Sequence, residues 1–592
     1  MTSPFVVSRQ QRRTWLLIAA ILLAAIVPLL PTLRAAFIYD DTTIIRDNPV
    51  LRGWGSLLHV WSTPYWSTDG GEALGLYRPV QQALLALVWN VGRGSAFLFH
   101  CYAILLAGLT ALAVWWMLRR GVGGMAAVVS ALWFATHPLH VEAIASVANT
   151  SELVVVLCTI GLVILLRRRV ATLATASPAT SSNEIARTFC IGALAAGAIG
   201  AKESGLLAIP VAILTVWGWS QADHGAASLR RVVLDNARGL AVAVACVVAV
   251  LLARVAVLGA PVSTRSIAAQ GLGGMTAAER IVTMMSLWPR IARMILLPSS
   301  LSPYYGPTFI PEHVVGLAVL SGVVALALLA LAVVIARRGD TRPLVAIGWI
   351  VLTYLPASNL LSATGQLISD RTLFGATVGA ALAIAWAIDR LSPFGRRIAT
   401  SLMVLLLAGN AIEGAHYAVA WTSHRALWTR MIEVAPAEHL GYKLLGIDAR
   451  ARGDTGRAVA LLERAFAMAP SDRQTRFELG QAQYVTGRYR AAVTTLSPLM
   501  LNADARSERG FVALFLDAVG RSGGPEAVVR AATPLVHSPS APVAALFLGI
   551  AQEQMGNRVA AESAYVAGLR RSAGDSALTA RYLALHPEHV HQ

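Results

Sequence analysis

Long runs of uncharged, mostly apolar residues alternate with short polar segments over the first 420 positions of the chain. Most of these runs approach the roughly 20 residues that an α-helix needs to cross a bilayer. Eleven of them lie at about 14–33, 94–117, 122–137, 153–166, 188–201, 204–222, 239–258, 314–336, 343–362, 372–388 and 398–412. The run 239–258 includes one charged residue, Arg254, and the last run continues past Glu413 to about 420. The pattern predicts an all-α protein with a transmembrane domain of about 11 spans at 1–422 and a water-soluble domain at 423–592.

Arginine clusters indicate how the spans are oriented. All of them fall on one side if each apolar run crosses once, and they lie at 9–13, 118–120, 167–169, 230–238, 337–342 and 390–397. Cytoplasmic loops are enriched in Arg and Lys, so we expect a cytoplasmic N-terminus, an uncleaved first span and a C-terminal domain outside the inner membrane. The apolar segment 281–298 contains Arg290 and Arg293. Counting it as a span would move every later cluster to the other side, so we expect a re-entrant or interface-lying helix on the outer face.

Small residues recur with a period of 34 in the C-terminal domain. Two successive units carry them at equivalent positions, Gly446, Gly453 and Ala458 in one and Gly480, Gly487 and Ala492 in the next. This pattern resembles the tetratricopeptide repeat, in which small residues let two helices cross closely and neighbouring units stack into an α-solenoid. Such arrays typically bind peptides or partner proteins, and a stabilising cap without a ligand is the alternative.

Composition supports a membrane protein and narrows the partners. Hydrophobic residues make up 56% of the chain and charged residues only 14%, against about 25% charged in soluble domains. The net charge of +17 comes almost wholly from Arg. Orienting Arg clusters explain this excess, so we expect lipid and no nucleic acid as partner. The four cysteines are not spaced for a metal site or a disulfide framework.

The adjacent acidic residues Asp40 and Asp41 follow the first span and are the candidate catalytic residues. One carboxylate raises the pKa of its neighbour, which keeps a general base near its working pH. The same pair could instead hold a divalent cation through its oxygen atoms. A solvated turn after a helix is the third interpretation. No other cofactor follows from the sequence.

Further polar residues fall on the same outer side and are candidates for binding a phosphate or a sugar. They are Arg78, His137, His140, Glu142, Lys202, Glu203 and Arg371. A forked guanidinium group suits a phosphate or pyrophosphate, and Lys202 beside Glu203 is either a structural ion pair or a compact charge for a phosphate. Lipid head groups are the alternative ligand for each basic residue. The spacing of His137 and His140 also permits a zinc site, although Pro138 disfavours the regular helix that would pair them.

Six polar segments distributed over the transmembrane domain occur in a recognisable order. They are "FIYDDTTIIRDNPVL" at 37–51, "YRPV" at 77–80, "FATHPLHVEAIASVANTSELV" at 134–154, "AKESG" at 201–205, "YLPASNLL" at 354–361 and "DRTLFGATVG" at 370–379. Together with the repeats, these segments resemble bacterial relatives of the transmembrane and tetratricopeptide repeat-containing O-mannosyltransferases, which are GT-C class membrane glycosyltransferases. The family usually has Glu-Arg where this chain has Asp370-Arg371.

The resemblance implies a GT-C type transmembrane domain and a specific reaction. A sugar, mannose by analogy, would move with inversion from a polyprenyl-phosphate carrier to a Ser or Thr hydroxyl of a protein or peptide presented by the repeats. Asp41, favoured over Asp40, would deprotonate the acceptor. The basic residues Lys202, Arg371 and Arg78 would hold the leaving polyprenyl phosphate. The reaction would take place on the periplasmic face of a bacterial inner membrane.

Three other interpretations remain open. An O-antigen-type oligosaccharide ligase can carry similar repeats, but such proteins usually place their functional Arg and His in a large late outer loop. A non-enzymatic scaffold anchored in the membrane would have little use for so many spans. A transporter would more often bury its charges at the centre of the membrane.

Overall fold

The computed structural model describes residues 8–66, 75–174, 181–224, 228–259, 269–502 and 508–586, and in these ranges every regular element is a helix. The chain forms two compact units, Met1–Arg430 and Met431–Gln592. The limit between the two units falls inside the helix His424–Val434. The predicted domain boundary at 422 and 423 lies just before this helix.

The first unit is a bundle of helices of very different lengths. Its α-helices are α1 (Arg9–Ile26), α2 (Ser56–His59), α3 (Pro79–Gly92), α4 (Ala96–Leu118), α5 (Gly124–Ala135), α6 (His140–Ala145), α7 (Ser151–Ala174), α8 (Ser181–Ala201), α9 (Ala208–His224), α10 (Leu229–Asp235), α11 (Ala237–Leu258), α12 (Ala277–Ser286), α13 (Trp288–Leu296), α14 (Val314–Arg337), α15 (Arg342–Tyr354), α16 (Phe374–Arg390), α17 (Pro393–Ala420) and α18 (His424–Val434). A 3₁₀ helix, Val27–Arg34, extends α1.

Nine helical segments within the described ranges are long and apolar enough to cross a membrane. They are Arg9–Arg34, Ala96–Leu118, Val147–Arg167, Asn183–Ala201, Glu203–Gln221, Ala237–Leu258, Val314–Arg337, Asp370–Arg390 and Pro393–Ala420. Two further apolar helices, Gly124–Ala135 and Arg342–Ala357, are shorter. These segments coincide with the eleven apolar runs of the sequence, and the prediction of an all-α, multi-pass membrane protein is confirmed.

Several of the Arg clusters meet at one end of the helix bundle. Arg342 donates a hydrogen bond to Asp389 at 3.0 Å and another to the carbonyl oxygen of Gly121 at 3.3 Å. Arg167 lies 3.5 Å from the carbonyl oxygen of Arg120. The loops between α4 and α5, between α14 and α15, and between α16 and α17 therefore lie close together at this end. Their common location agrees with the single-sided arrangement that the sequence predicted.

The polar segments that carry the candidate site residues lie at the opposite end of the bundle. Helix α16 illustrates this arrangement, because Arg371 precedes it and Arg390 ends it in the Arg-rich region. The segment 281–298 forms the short helices α12 and α13, neither of which is long enough to be a candidate span. The carbonyl oxygen of Ile295 in α13 lies 2.8 Å from His137 Nε2, so α13 ends at the same end as the candidate site.

The second unit consists of antiparallel helix pairs. Its helices are α19 (His439–Ala451), α20 (Thr455–Met468), α21 (Arg473–Val485), α22 (Tyr489–Leu496), α23 (Arg509–Ala532), α24 (Ala541–Gln554), α25 (Arg558–Leu569) and α26 (Ser576–Leu585). A Cβ atom at Gly446 would lie 2.6 Å from Leu462, and one at Gly480 would lie 2.5 Å from Leu496. The small repeat residues are therefore required for the close crossing of each pair, and the predicted α-solenoid is confirmed.

Candidate functional site

Asp41 is the more buried of the two adjacent carboxylates, and its side chain is not exposed at all. Its oxygens accept hydrogen bonds from the backbone N–H groups of Val147 at 2.9 Å and Ala148 at 2.8 Å. The hydroxyl of Ser146 donates a third bond at 3.3 Å. Burial raises the pKa of Asp41 to about 7, while the two backbone N–H groups oppose that shift. This placement gives Asp41 the role of joining two loops and does not favour the sequence-based choice of Asp41 as the base.

The neighbouring carboxylate, Asp40, has a different environment. Its side chain is 22% exposed, and its Oδ2 lies 3.7 Å from Arg371 Nη1. Burial raises the pKa of Asp40, and the guanidinium groups of Arg371 and Arg78 oppose the increase. Asp40 is therefore the member of the pair that a substrate hydroxyl can approach.

A buried carboxylate fixes the position of Arg371. Glu142 has no exposed surface, and its Oε1 accepts a bond from Arg371 Nη1 at 2.8 Å. Its Oε2 accepts from the backbone N–H of Arg371 at 3.0 Å, and the Ser369 hydroxyl donates to the same carboxylate. Burial raises the pKa of Glu142, with Arg371 as the main opposing charge. Arg371 consequently lies between Glu142 and Asp40.

A second guanidinium group, that of Arg78, is held by Glu203 and an aromatic ring. Arg78 Nη2 donates to Glu203 Oε2 at 2.7 Å, and Nε donates to the same oxygen at 3.0 Å. The guanidinium carbon lies 5.0 Å from the ring centroid of Tyr65. Arg254 from α11 approaches Glu203 at 3.7 Å. The segment Tyr77–Arg78 is thereby anchored to the start of the span that begins at Glu203.

The compact cation of the site, Lys202, pairs with Glu152 at the start of α7. The sequence placed Lys202 beside Glu203 as a possible ion pair, and this pairing is wrong. The backbone of Lys202 is extended, with φ −160° and ψ 151°, so consecutive side chains point to opposite sides. Burial lowers the pKa of the Lys202 ammonium, and the positive charges of Arg78 and Arg371 lower it further, while Glu152 opposes the shift.

These contacts bring most of the candidate residues into one cluster. Its members form three groups of ion pairs: Arg371 with Asp40 and Glu142, Arg78 and Arg254 with Glu203, and Lys202 with Glu152. The three groups are neighbours, because the charges of Arg78 and Arg371 affect the pKa values of both Asp40 and Lys202. Each of the cations Arg78, Lys202 and Arg371 has its own carboxylate partner. The arrangement offers forked and compact cations to an anion, next to a partly exposed carboxylate.

The two predicted histidines have partners within the helix bundle. His137 Nε2 donates to the carbonyl oxygen of Ile295 at 2.8 Å, and its Nδ1 accepts from the backbone N–H of Leu139 at 3.3 Å. His140 Nε2 lies 2.9 Å from the hydroxyl of Thr377. Both rings are buried. Both histidines therefore have hydrogen-bond partners inside the helix bundle, and their role in binding a sugar or phosphate stays a prediction.

The described part of the chain contains no group of three or more His, Cys, Asp and Glu side chains arranged to hold a metal ion. The paired carboxylates also diverge, because Asp41 accepts bonds from the chain itself and Asp40 faces Arg371. A divalent cation would therefore have only Asp40 as an accessible ligand from this pair.

The site also contains three residues that were not predicted from the sequence: Glu152, Arg254 and a buried anchor next to Arg371. That anchor is Asp370, whose carboxylate accepts from the hydroxyls of Tyr305 at 2.6 Å and Tyr417 at 3.0 Å. The available signal was a charge inside an apolar run for Arg254 and at the start of one for Glu152, since ionisable residues are costly there and are usually paired. The tyrosines carry no such signal.

A crevice between α7, α9, α15 and α16 begins beside the Lys202–Glu152 pair. Glu152, Ser204, Thr159 and Thr353 form its polar part, and the remaining wall is largely apolar. The apolar lining includes Val155, Val156, Leu207, Val211 and Trp349. The charged cluster thus adjoins an apolar space among the candidate spans.

Comparison with known proteins identifies relatives for both units. Residues 449–509 match the Tetratricopeptide repeat family. The chain is 22% identical to "Protein O-mannosyl-transferase Tmtc3" of Drosophila melanogaster, over 81% of this chain and 58% of that protein. It is 21% identical to "Protein O-mannosyl-transferase TMTC3" of Homo sapiens, over 68% of this chain and 46% of that protein. A shorter match, to "Protein O-mannosyl-transferase F38B6.6" of Caenorhabditis elegans, is 26% identical over 32% of the chain.

The curated relatives that match most of this chain are longer than it is. The chain spans about half of their length. The two longest similarities extend over most of this chain, which includes much of the bundle with the charged cluster, and the repeat match covers part of the second unit. Together they confirm the relationship that the sequence motifs indicated. The chain is similar to protein O-mannosyl-transferases over most of its length and to the Tetratricopeptide repeat family over residues 449–509.

Proposed function

We propose that this protein is an inverting membrane glycosyltransferase that moves mannose from a polyprenyl-phosphate carrier to a Ser or Thr hydroxyl of a protein acceptor. The reaction takes place on the extracytoplasmic face of a bacterial inner membrane. The observation that carries the proposal is the partly exposed Asp40 beside Arg371, with Arg78 and Lys202 in the same charged cluster. Mannose as the sugar and a protein as the acceptor are inferred from the names of the relatives.

The chemistry needs one base and one anion-binding group. Asp40 accepts the proton of the acceptor hydroxyl as the oxygen attacks the anomeric carbon of the sugar. The bond between that carbon and the phosphate oxygen breaks, and the polyprenyl phosphate leaves with the electron pair. Negative charge grows on the phosphate during this step, so cations fixed nearby stabilise the transition state. Asp40 takes this role because Asp41 is occupied by Val147 and Ala148.

The cations Arg371, Arg78 and Lys202 are suited to bind the phosphate because carboxylates already fix their positions. Glu142, Glu203 and Glu152 are the respective partners. A cation that is oriented before the substrate binds loses less conformational entropy when it does. In the same way, cations that need not reorganise during the reaction stabilise the developing charge more effectively.

The apolar crevice beside Glu152 supports a lipid-linked donor. Its wall is formed by side chains of candidate spans, including Val155, Leu207 and Trp349. A polyprenyl chain is apolar and partitions into the bilayer, so its phosphate would lie at the end of the spans while the first isoprene units pack among them. The crevice lies next to the Lys202–Glu152 pair, and its free volume of about 20 Å³ means that a bound isoprene unit would have to widen it.

The repeat unit supports a protein acceptor, because stacked helix pairs typically present extended surfaces to peptides. The N-terminus and the Arg-rich end of the bundle would lie in the cytoplasm, and the charged cluster and the repeats outside.

The proposal is tested by incubating the purified full chain with polyprenyl-phosphate-[³H]mannose and periplasmic protein as acceptor. We expect label on protein, and we expect Asp47→Asn to keep wild-type transfer, since Asp47 is an exposed residue of the same loop. Transfer from another lipid-linked sugar or oligosaccharide alone would retain the class and replace the substrate. If no lipid-linked donor supports transfer, the result contradicts the proposal and favours a non-enzymatic scaffold.

A further inference from the structure

The backbone just before Asp40 has an unusual conformation. Tyr39 has φ +53°, in the left-handed region that residues with a side chain rarely adopt. This turn directs the next two side chains to different partners, Asp40 towards Arg371 and Asp41 towards the backbone of Val147. A conformation of this kind persists only where surrounding contacts determine it.

Three sets of contacts hold Tyr39 in place. Its carbonyl oxygen accepts a bond from the Thr42 hydroxyl at 2.7 Å. Its ring makes edge contacts with Trp421 and Trp428, with centroid distances of 6.4 and 5.8 Å. Its backbone N–H donates to Nε2 of His424 at 3.1 Å. Two backbone hydrogen bonds also close the turn, from the Asp41 N–H to the Ile38 carbonyl oxygen at 3.1 Å and from the Thr42 N–H to the Tyr39 carbonyl oxygen at 3.2 Å. The bond to His424 adds a side-chain acceptor for the N–H of Tyr39 itself.

The partner residue, His424, is the first residue of α18 and lies 385 positions away in the sequence. Its ring stacks on Trp428, with a centroid distance of 5.6 Å. To accept a hydrogen bond, Nε2 must carry a lone pair, so the ring is neutral and its proton is on Nδ1. The geometry therefore specifies one tautomer of His424.

We infer that His424 is a positioning residue for Asp40: by accepting the Tyr39 N–H it holds the left-handed turn that keeps the Asp40 carboxylate beside Arg371. The inference rests on the proposed function, because it assumes that Asp40 is the base. His424 acts through the backbone of Tyr39 and does not contact the reacting atoms. Its effect should therefore fall on the chemical step and not on the binding of the donor.

Two substitutions separate the hydrogen bond from the bulk of the ring. In His424→Gln the amide oxygen can replace Nε2 as acceptor, whereas His424→Leu has a similar size and no acceptor. We expect His424→Leu to lower kcat by about 10- to 100-fold, since a displacement of about 1 Å at a reacting group costs that much. The KM for polyprenyl-phosphate-mannose should change less than about twofold, and His424→Gln should recover most of kcat.

Amide hydrogen exchange provides a measurement that does not depend on activity. The Tyr39 N–H should exchange faster in the full-length Leu variant than in the wild type, and the Gln variant should restore its protection. Unchanged exchange, or a wild-type kcat in His424→Leu, would overturn the inference. A Gln variant as impaired as the Leu variant would also overturn it. A wild type that transfers no sugar would instead count against the proposed function, and the exchange measurement would then decide whether His424 holds the turn.

Discussion

Replacement of Asp41 by Ala should loosen the loop that follows α6 without removing the proposed base. Asp41 is fully buried and accepts two backbone N–H bonds, from Val147 and Ala148, at 2.9 and 2.8 Å. Above pH 8, where an Asp41 carboxylate with a pKa of about 7 is ionised, a hydrogen bond to this charged group contributes about 1.5–3 kcal/mol. The two bonds together therefore stabilise the closed loop by about 3–6 kcal/mol.

This free energy can be measured directly at the two donors by amide hydrogen exchange. If Val147 and Ala148 exchange through local opening, the loss of Asp41 should accelerate their exchange by about 10²- to 10⁴-fold. Asp41→Asn keeps one acceptor oxygen and should give an intermediate rate. Asp47→Asn is the matched control, because the Asp47 carboxylate is exposed and accepts hydrogen bonds from its neighbour Arg46. Wild-type exchange at both amides in Asp41→Ala would refute the assigned role of Asp41.

Two further substitutions test the charged cluster. Lys202→Met should raise the KM for the lipid-linked donor about tenfold or more through loss of a charge-assisted bond, while Lys443→Met in the repeat unit should leave this KM unchanged. Glu142→Gln should shift the acidic limb of the pH–rate profile to lower pH. Burial raises the pKa of Asp40 in the wild type, and an Arg371 no longer shared with Glu142 would lower it. An unshifted limb would show that Arg371 and Asp40 are not coupled.

The spans and the repeats could be predicted because their signals are local. An apolar run of sufficient length forms a helix in a membrane whatever its neighbours are, and the eleven runs accordingly reappear as helices. The close crossing of α19 and α20, where Gly446 faces Leu462, follows from small residues that recur at a fixed period. The exact helix ends could not be predicted in this way. Helix α18, for example, starts at His424, which accepts a hydrogen bond from Tyr39. It belongs to the first unit as far as Arg430, although the sequence placed it in the second domain.

The pairing of charges could not be predicted, because it depends on residues that are distant in sequence. Nothing near Asp41 indicates that Val147 and Ala148 will donate to it, and so the sequence could not distinguish Asp41 from Asp40. Proximity suggested Glu203 as the partner of Lys202, whereas an extended backbone directs the lysine to Glu152. The sequence motifs identified the loops that carry the charged cluster. Which side chains in those loops remain accessible depends on three-dimensional packing.

The most direct test of the account is the rate of mannose transfer by Asp40→Asn, measured in single turnovers with saturating polyprenyl-phosphate-mannose beside the wild type and Asp41→Asn. We predict that Asp40→Asn lowers the rate by about 10²- to 10⁴-fold, the usual contribution of a general base, while the donor still binds. Asp41→Asn should be less impaired, because its effect is on the loop that it holds. A wild-type rate in Asp40→Asn, with transfer lost in Asp41→Asn, would contradict the assignment and return the base to Asp41.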